Sequence, residues 1–252
     1  MFTKVILDYE DNLFSELSEI TKFEDITKGR DGAVLVDTEN SLIPLVRTTT
    51  KYIRPPQRFE SIHYDIMEKI NEKVKETINL DDIHFNNALI EVYDSKYHKM
   101  GFHSDQALDL ADDSYIAIYS CYENVQNVKR SSLRKLIIKN KETDKSSEII
   151  MEHNSVIIFS LQTNRQHLHK IILENINENN RWLGITFRLS KTFINHIDNT
   201  PFIYNTDNIL TLANKEETIK FYKLRGEENK SLDFKYPEFN YTISVSDTLP
   251  ID

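Results

Sequence analysis

From residue 86 onward the sequence is a series of short β-rich runs, and this pattern constrains the fold more than any other feature of the chain. The first run, NNALIEVYD, alternates, with Leu89, Glu91 and Tyr93 on one face of the predicted strand and Ile90 and Val92 on the other. Polar turns separate the later runs, which are KMGFHSD, SYIAIYSCY, LRKLIIKN, SEIIMEH, SVIIFSL, HLHKIIL and WLGITFRLS. Short strands in this number, with turn signals between them, predict a β-sandwich or a closed double-sheet jelly roll.

The residues before and after this series define two further regions. Residues 11–21 have helical spacing, and from Phe59 onward apolar residues recur every three or four positions, which predicts an amphipathic helix. We therefore expect residues 1–85 to be a helical and irregular support, residues 86–195 to be the jelly-roll core, and residues 196–252 to be an extension packed on that core. In the extension we expect a short helix near residue 213 and two β-like runs, IKFYKLR and NYTISVS.

Composition limits the environment of the protein. Cys121 is the single cysteine, so an intramolecular disulfide is excluded and a disulfide-linked partner is not expected. Hydrophobic residues make up 39% of the chain, yet no run approaches the roughly 18 apolar residues that span a bilayer. The first residues lack the basic and apolar regions of a secretory signal. We expect a soluble, cytoplasmic protein with no membrane partner.

The charge of the chain argues against tight, non-specific binding to long duplexes. The formal net charge is −9, whereas nucleic-acid binders usually carry a basic footprint. A local cluster of basic residues nevertheless occurs in the middle of the chain, and it is either a basic face or a solvated loop and strand edge. Its members are Lys129, Arg130, Arg134, Lys135, Lys139 and Lys141.

One triplet has the composition of a metal site. In His103-Ser104-Asp105, the period of two in a strand puts the imidazole and the carboxylate on the same face. The run HLHKIIL supplies His167 and His169, and either one would complete a 2-His-1-carboxylate face that leaves positions open on iron(II). A histidine and an aspartate at this spacing also occur together in ordinary turns, so the triplet alone is a weak signal.

The span 86–190 resembles the AlkB-type family of iron(II)- and 2-oxoglutarate-dependent oxygenases. The resemblance is carried by LIEVYDSKYHKMGFHSD, in which a strand ending at Tyr93 precedes His103, and by SLQTNRQHLH before the distal histidine. It is completed by the closing strand Ile185-Thr186-Phe187-Arg188. The fold that it implies is α+β and mainly β, a double-stranded β-helix (jelly-roll) core with N-terminal helices packed on one sheet.

The resemblance also implies the site residues. It implies that His103, Asp105 and His169, rather than His167, bind Fe(II), which acts with 2-oxoglutarate as cosubstrate and with dioxygen. Contacts to the cosubstrate are then expected from Tyr93, Thr186, Arg188, Glu91 and Arg181. Residues 97–99 are expected either at the rim of the pocket or at a solvated hairpin tip. Residues 47–52 are either part of a substrate lid or a plain connector.

Three positions depart from the family pattern. Glu91 stands where members have an asparagine, and a carboxylate there repels a dicarboxylate unless it is protonated or paired with arginine. Trp182 stands six residues before Arg188, where the family has a second arginine, and Arg181 reaches the same face only through a β-bulge. Ala107 stands where DNA-repair members have an acidic residue for base recognition.

These features leave three functions open. The first is an AlkB-like dioxygenase, a hydroxylase or oxidative demethylase, that acts on nucleic acid or a modified, alkylated nucleobase. The second is the same chemistry on a protein, a peptide or a small molecule, which Ala107 and the acidic charge favour. The third is a non-catalytic, cupin-like metal-binding module.

Overall fold

A computed structural model of the chain describes residues 1–38, 41–126, 129–176 and 180–251. Its α-helices are α1 (Phe14–Ile20), α2 (Ser61–Ile78), α3 (Leu161–Gln166) and α4 (Lys215–Glu228). Its β-strands are β1 (Thr3–Ile6), β2 (Glu24–Thr27), β3 (Arg30–Val36), β4 (Ile43–Leu45), β5 (Gln57–Arg58), β6 (Asn87–Tyr93), β7 (Tyr115–Tyr122), β8 (Lys135–Asn140), β9 (Ser146–Ile150), β10 (Ser155–Ser160), β11 (His167–Ile172), β12 (Trp182–Arg188), β13 (Thr192–Ile197), β14 (Thr200–Ile203), β15 (Thr211–Leu212) and β16 (Tyr241–Thr242).

Eight strands form a large sheet, in which β1, β10, β7, β12, β6, β3 and β2 lie side by side in that order and β5 pairs with β3. Neighbours along the path are antiparallel. Strand β6 is buried along its whole length, so both faces of the sheet are covered. Ile90 and Val92 join the apolar layer on the outer face, whereas Leu89, Glu91 and Tyr93 line a cavity on the inner face. The predicted alternation along this strand is confirmed.

Helices α1 and α2 cover the outer face of the large sheet. Ile66, Ile70 and Val74 of α2 are fully buried and belong to the same apolar cluster as residues of β6 and β12. The helix begins with a reciprocal capping box between Glu60 and His63, which satisfies backbone amides of the first turn. The apolar period of three to four therefore identified both the helix and the face that it buries.

A smaller antiparallel sheet, in the order β11, β8 and β9, packs against the inner face. Ile118 and Trp182 of the large sheet share one buried apolar cluster with Leu136, Ile138 and Ile171 of the small sheet. Two antiparallel sheets closed on a common interior form a double-stranded β-helix. The predicted fold, mainly β with N-terminal helices packed on one sheet, is confirmed.

The first 85 residues contain more strand than the sequence predicted. Strand β1 pairs with β10, and β3 pairs with β6, so this region extends the large sheet as well as covering it. The expectation of a helical and irregular support was therefore incomplete. Strands of four to seven residues are too short to show a period that identifies them from the sequence.

The C-terminal extension also differs from the prediction. The run IKFYKLR lies inside α4 and is not a strand. Asn214 and Glu217 form a capping box at the start of this helix, and Phe221, Arg225 and Glu228 are buried at helical spacing along it. The aromatic and β-branched residues misled the prediction because tertiary packing overrides local propensity. Of NYTISVS only Tyr241–Thr242 is a strand, which pairs with β15, while β13, β14 and β4 form a third sheet.

The basic cluster in the middle of the chain is not one solvated face. Arg134 is fully buried and donates hydrogen bonds to the backbone oxygens of Tyr97 and Asp94. The three lysines that follow have different partners: Lys135 pairs with two glutamates, Lys139 pairs with Asp144, and Lys141 donates to backbone oxygens of the C-terminal extension.

Cys121 lies buried in β7, and burial raises the pKa of its thiol to about 12, so the thiol stays protonated and unreactive. Across the described ranges, none of the helices combines the length and the apolar character needed to cross a membrane.

Removal of a buried side chain from α2 tests the packing of the helix on the sheet. Ile66→Ala deletes a fully buried side chain, and we expect it to lower the free energy of unfolding by about 2–5 kcal/mol. Glu68→Ala, two residues further along on the exposed face of the helix, is expected to change it by less than about 0.5 kcal/mol. Urea denaturation followed by circular dichroism measures both, and equal losses would contradict the packing described.

Candidate metal centre

His103, Asp105 and His169 lie together in the lining of one cavity. Their ligand atoms all lie within 4.8 Å of one another. Oδ1 of Asp105 is 3.9 Å from Nε2 of His103 and 3.6 Å from Nε2 of His169. Two imidazole nitrogens and one carboxylate oxygen at these distances can hold one ion, and this donor set suits iron(II) with positions left open.

The backbone brings the two histidines together. The amide of His103 donates to the oxygen of His169 at 3.0 Å, and the amide of His169 donates to the oxygen of His103 at 2.6 Å. This pair is an isolated antiparallel bridge, so the run KMGFHSD is not the regular strand that its composition predicted. The two ring centroids are 4.7 Å apart.

The imidazole of His103 is oriented for binding through Nε2. Its Nδ1 lies 3.1 Å from the backbone oxygen of Gly101, which fixes the ring and leaves Nε2 towards Asp105. Desolvation in the cleft and the neighbouring His169 lower the pKa of His103 to about 3. The neutral ring, which has the free lone pair that a metal needs, is therefore the form present at neutral pH.

Asp105 is held as a carboxylate by its neighbours. Nε of Arg188 donates to Oδ2 of Asp105 at 3.1 Å, so Oδ1 is left towards the two histidines. Burial alone would raise the pKa of Asp105, but Arg188 and the two imidazoles lower it well below its usual range. The carboxylate is thus charged and available as a ligand.

The other candidate histidine lies outside this group. Nδ1 of His167 is 2.9 Å from the backbone oxygen of Thr163, and its ring packs edge-on against Phe2. His169 is 3% exposed and its ring lies 5.6 Å from that of Phe159. Of the two histidines on β11, the geometry brings His169 to the carboxylate of Asp105.

The segment that carries Asp105 is fixed by a buried asparagine of α3. The amide of Asp105 donates to Oδ1 of Asn164 at 2.7 Å, and Nδ2 of Asn164 donates to the backbone oxygen of Asp105 at 2.7 Å. Asn164 is 1% exposed. This reciprocal pair satisfies the backbone of a residue that belongs to neither sheet.

The end of α4 holds the same segment from the other side. Oδ1 of Asn229 accepts from the amide and hydroxyl of Ser104, at 3.1 and 3.2 Å. Oε1 of Glu228 accepts from the amide of Ala107 at 2.8 Å, and Arg225 donates to the backbone oxygen of Ser104. We predicted no role for this extension from the sequence, because the run IKFYKLR was interpreted as a strand and not as part of the helix that carries Arg225 and Glu228.

A cavity of about 340 Å³ opens beside His103, Asp105 and His169. Most of the residues predicted to contact the cosubstrate line it, namely Glu91, Tyr93, Thr186 and Arg188. Arg181 does not: its guanidinium forms two hydrogen bonds to Glu123, at 2.9 and 2.6 Å, on the surface. Strand β12 begins at Trp182 without the bulge that would turn Arg181 inward, so its expected contact is corrected.

Glu91 does not face the cavity as an uncompensated charge. Arg30 donates to its Oε1 through both Nε, at 2.9 Å, and Nη2. The hydroxyls of Tyr52 and Tyr93 donate to the same carboxylate at 3.1 and 2.6 Å. Burial raises the pKa of both phenols well above the usual value, so they remain donors. The repulsion that the sequence predicted is therefore offset by Arg30, which sequence reasoning missed.

Residues 47–52 form a fixed wall of this cavity. Thr48, Thr49 and Thr50 line it. Arg47 is tied to the buried carboxylate of Asp109, and the amide of Tyr52 donates to Oγ of Ser244 at 3.1 Å. Because both ends are anchored, the segment is neither a free lid nor a plain connector.

Of the expected rim residues, Tyr97 lines the cavity and packs against Tyr93, with ring centroids 4.7 Å apart. Lys99 is exposed, and Nδ1 of His98 is 3.3 Å from a backbone oxygen of the same turn.

Comparison with known proteins gives a family match. A family model described as the 2OG-Fe(II) oxygenase superfamily matches residues 14–188. None of the curated proteins matches the chain. Among solved structures, OsALKBH1 is 15% identical, with a TM-score of 0.48, over 74% of this chain and 97% of its own. A prolyl-4-hydroxylase from Pseudomonas putida is 11% identical, with a TM-score of 0.42, over 75% of this chain and 92% of its own.

The support that Asn164 gives to the Asp105 backbone can be tested by metal titration. We expect Asn164→Ala to weaken Fe(II) binding by about 10- to 100-fold, because residues that orient ligands have effects of this size. Gln162→Ala, an exposed position on the same helix, is the matched control and should bind as the unaltered protein does. Anaerobic calorimetry with Fe(II) measures both affinities, and equal affinities would show that the clamp does not position the ligand.

Proposed function

This chain belongs to the 2OG-Fe(II) oxygenase superfamily, and on that premise we propose that it is an AlkB-like dioxygenase whose iron(II) is held by His103, Asp105 and His169. Members of the superfamily use Fe(II), 2-oxoglutarate and dioxygen, so the chain is an oxidoreductase. The observation that carries the assignment is the convergence of the three ligand side chains beside Arg188, at a cavity that opens on them.

The bound metal, with the cosubstrate and dioxygen, supplies the oxidising chemistry, and the chain supplies geometry. Arg188 already donates to the carboxylate of Asp105, so its remaining donors suit the cosubstrate carboxylate nearest the metal. Thr186 and Tyr93, on neighbouring strands of the same inner face, suit the rest of that molecule. Leu89 and Ile118 give the cavity an apolar wall that excludes water from the reacting carbon.

We infer that the substrate is an alkylated nucleobase. Hydroxylation of the alkyl carbon bound to nitrogen would give a hydroxyalkyl product, whose carbon–nitrogen bond then breaks to release an aldehyde and the unmodified base. The mouth of the cavity supports this class. Tyr97 and Phe102 line it, and Nζ of Lys170 lies 4.4 Å from the centroid of the Phe102 ring. Lys99 is exposed, and its backbone pairs with Ile172, two residues beyond Lys170 at the end of β11. Aromatic rings that stack bases and ammonium groups that meet phosphates are the usual features of such mouths.

The second candidate is the same reaction on a protein, peptide or small molecule. Ala107 favours it, since this position has no acidic side chain for base recognition and its amide is already bound to Glu228. The net charge of −9 favours it as well. Failure to release succinate with any substrate, despite metal binding, would instead favour a non-catalytic, cupin-like module.

Loss of a ligand tests the oxygenase assignment. We expect His103→Ala and Asp105→Ala each to abolish Fe(II)-dependent conversion of 2-oxoglutarate to succinate, because each leaves only two protein ligands. His84→Ala removes an exposed histidine outside the site and should leave turnover unchanged. Succinate is measured anaerobically and then in air, with methylated oligonucleotides, peptides and small molecules as separate substrates. Normal turnover in both ligand variants would refute the assignment.

Charge reversal at the mouth tests the substrate class. We expect the double variant Lys99→Glu, Lys170→Glu to weaken binding of a methylated single-stranded oligonucleotide and to reduce the salt slope of the binding constant by about 1–2. Lys75→Glu, on the exposed side of α2, changes the net charge by half as much, away from the cavity, and should leave the slope unaltered. Fluorescence anisotropy at several salt concentrations gives the slopes. Indistinguishable slopes, with succinate release on a peptide or small molecule, would favour the second candidate.

A further inference from the structure

Strand β12 supplies no cation at the end of the cavity remote from the metal. The position six residues before Arg188 is Trp182, and Arg181 is engaged by Glu123 on the surface. A dicarboxylate held by Arg188 at one end still needs a partner for its second carboxylate, because an unpaired carboxylate in a cavity is costly.

An arginine of another strand, Arg30, lies side by side with Trp182 across the sheet. Tyr93 of β6 pairs with Trp182 of β12 on one side and with Arg30 of β3 on the other. Residues directly opposite each other in antiparallel strands share a face. The side chain of Arg30 therefore lies on the inner face, two strands away from Trp182 and side by side with it across the sheet. Arg30 also lines the cavity.

The guanidinium of Arg30 is held in a fixed orientation. Glu91 accepts from its Nε and Nη2, and Oγ1 of Thr50 accepts from Nη2 at 3.1 Å. The guanidinium also lies 5.6 Å from the ring centroid of Tyr97. Among the described residues, Nη1 has no hydrogen-bond partner, so a donor edge remains for a ligand. Burial opposes the charge of Arg30, but Glu91 and the neighbouring tyrosines together outweigh burial and raise the pKa of the guanidinium.

The residues on either side of Glu91 explain why the cation comes from β3. Glu91 pairs with Gly184 of β12 and with Gly32 of β3. The indole of Trp182 lies over Gly184, where an added Cβ would be 2.0 Å from the ring, so the tryptophan fills the space beside β12. An added Cβ at Gly32 would lie 3.0 Å from the hydroxyl of Tyr52, which bonds to Glu91. The space beside β12 is thus occupied, and the polar network lies on the β3 side.

We propose that Arg30 binds the distal carboxylate of 2-oxoglutarate, and that Glu91 and Thr50 are positioning residues for its guanidinium. This inference rests on the proposed function, because it assumes that 2-oxoglutarate occupies the cavity with its keto end at the metal. A planar guanidinium with one free edge suits a carboxylate better than a lysine would. Glu91 then acts through Arg30 and does not contact the cosubstrate.

The test compares two 2-oxo acids that differ at the distal end. 2-Oxoglutarate has a carboxylate there, whereas 2-oxovalerate has a methyl group, and both present the same keto acid to the metal. Binding to the Fe(II)-loaded protein is measured without oxygen, from the visible charge-transfer band and from the fluorescence of Trp182, the only tryptophan of the chain. The readout is therefore affinity and not turnover.

We expect Arg30→Met to weaken binding of 2-oxoglutarate by about 10- to 100-fold, the effect of losing charge-assisted hydrogen bonds, and to leave 2-oxovalerate binding unchanged. Arg30→Lys should retain part of the preference. Because Arg30→Met leaves Glu91 without its counter-charge, the double variant Arg30→Met, Glu91→Gln is measured as well. Arg181→Met, an arginine of the surface, is the matched control and should keep the full preference.

Two results would overturn the proposal about Arg30 alone. One is an unchanged preference for 2-oxoglutarate in both Arg30→Met variants. The other is an equal loss of affinity for the two acids, which would indicate a purely structural role. Failure of the unaltered protein to bind Fe(II) and either acid would overturn the proposed function and this inference with it, so the two failures are distinguishable.

Discussion

Two backbone hydrogen bonds between His103 and His169 are the contact on which the site depends. They join an irregular segment to the edge strand β11 of the small sheet, and because the two residues are directly opposite, their imidazoles emerge on the same side. The carboxylate of Asp105, two residues after His103, lies on the same side, within 4 Å of both imidazoles. A slip of one residue in this pairing would turn one imidazole to the other face. The arrangement of the three candidate ligands is therefore a consequence of main-chain register.

A segment that leaves a sheet has backbone groups that need other partners. Here the partners are buried side chains from elements distant in sequence: Asn164 of α3 for Asp105, and Glu228 and Asn229 at the end of α4 for Ala107 and Ser104. These contacts account for the polar character of the buried face of α4, which a helix packed only for its apolar contacts would not have. They also make the C-terminal extension part of the architecture of the site.

The parts of this structure that the sequence could predict are those set by local period. The alternation of β6 and the apolar stripe of α2 each lie within one run of residues. What it could not predict depends on contacts between distant runs. Arg30 and Glu91 are 61 positions apart, and neither the pairing of β3 with β6 nor the level of Arg30 can be deduced from either segment alone. The same limit explains IKFYKLR, whose β-forming residues are helical because buried partners and an N-terminal cap favour the helix.

Residues on different strands of a sheet can place their side chains in the same part of a cavity. A molecule bound on one face of a sheet contacts the side chains that point to that face. In antiparallel strands, paired residues of three adjacent strands lie side by side and present their side chains to the same face. Around Tyr93 these are Arg30 and Trp182. The indole of Trp182 occupies the position on β12, and Arg30 of β3 lines the cavity at the same position along the sheet. A buried arginine there requires a balancing charge and a fixed guanidinium. Glu91 meets both conditions, since it forms an ion pair with Arg30 and accepts two further hydrogen bonds from tyrosines. Glu91 and Trp182, which look like separate losses of family residues, are therefore explained together by one relocated arginine.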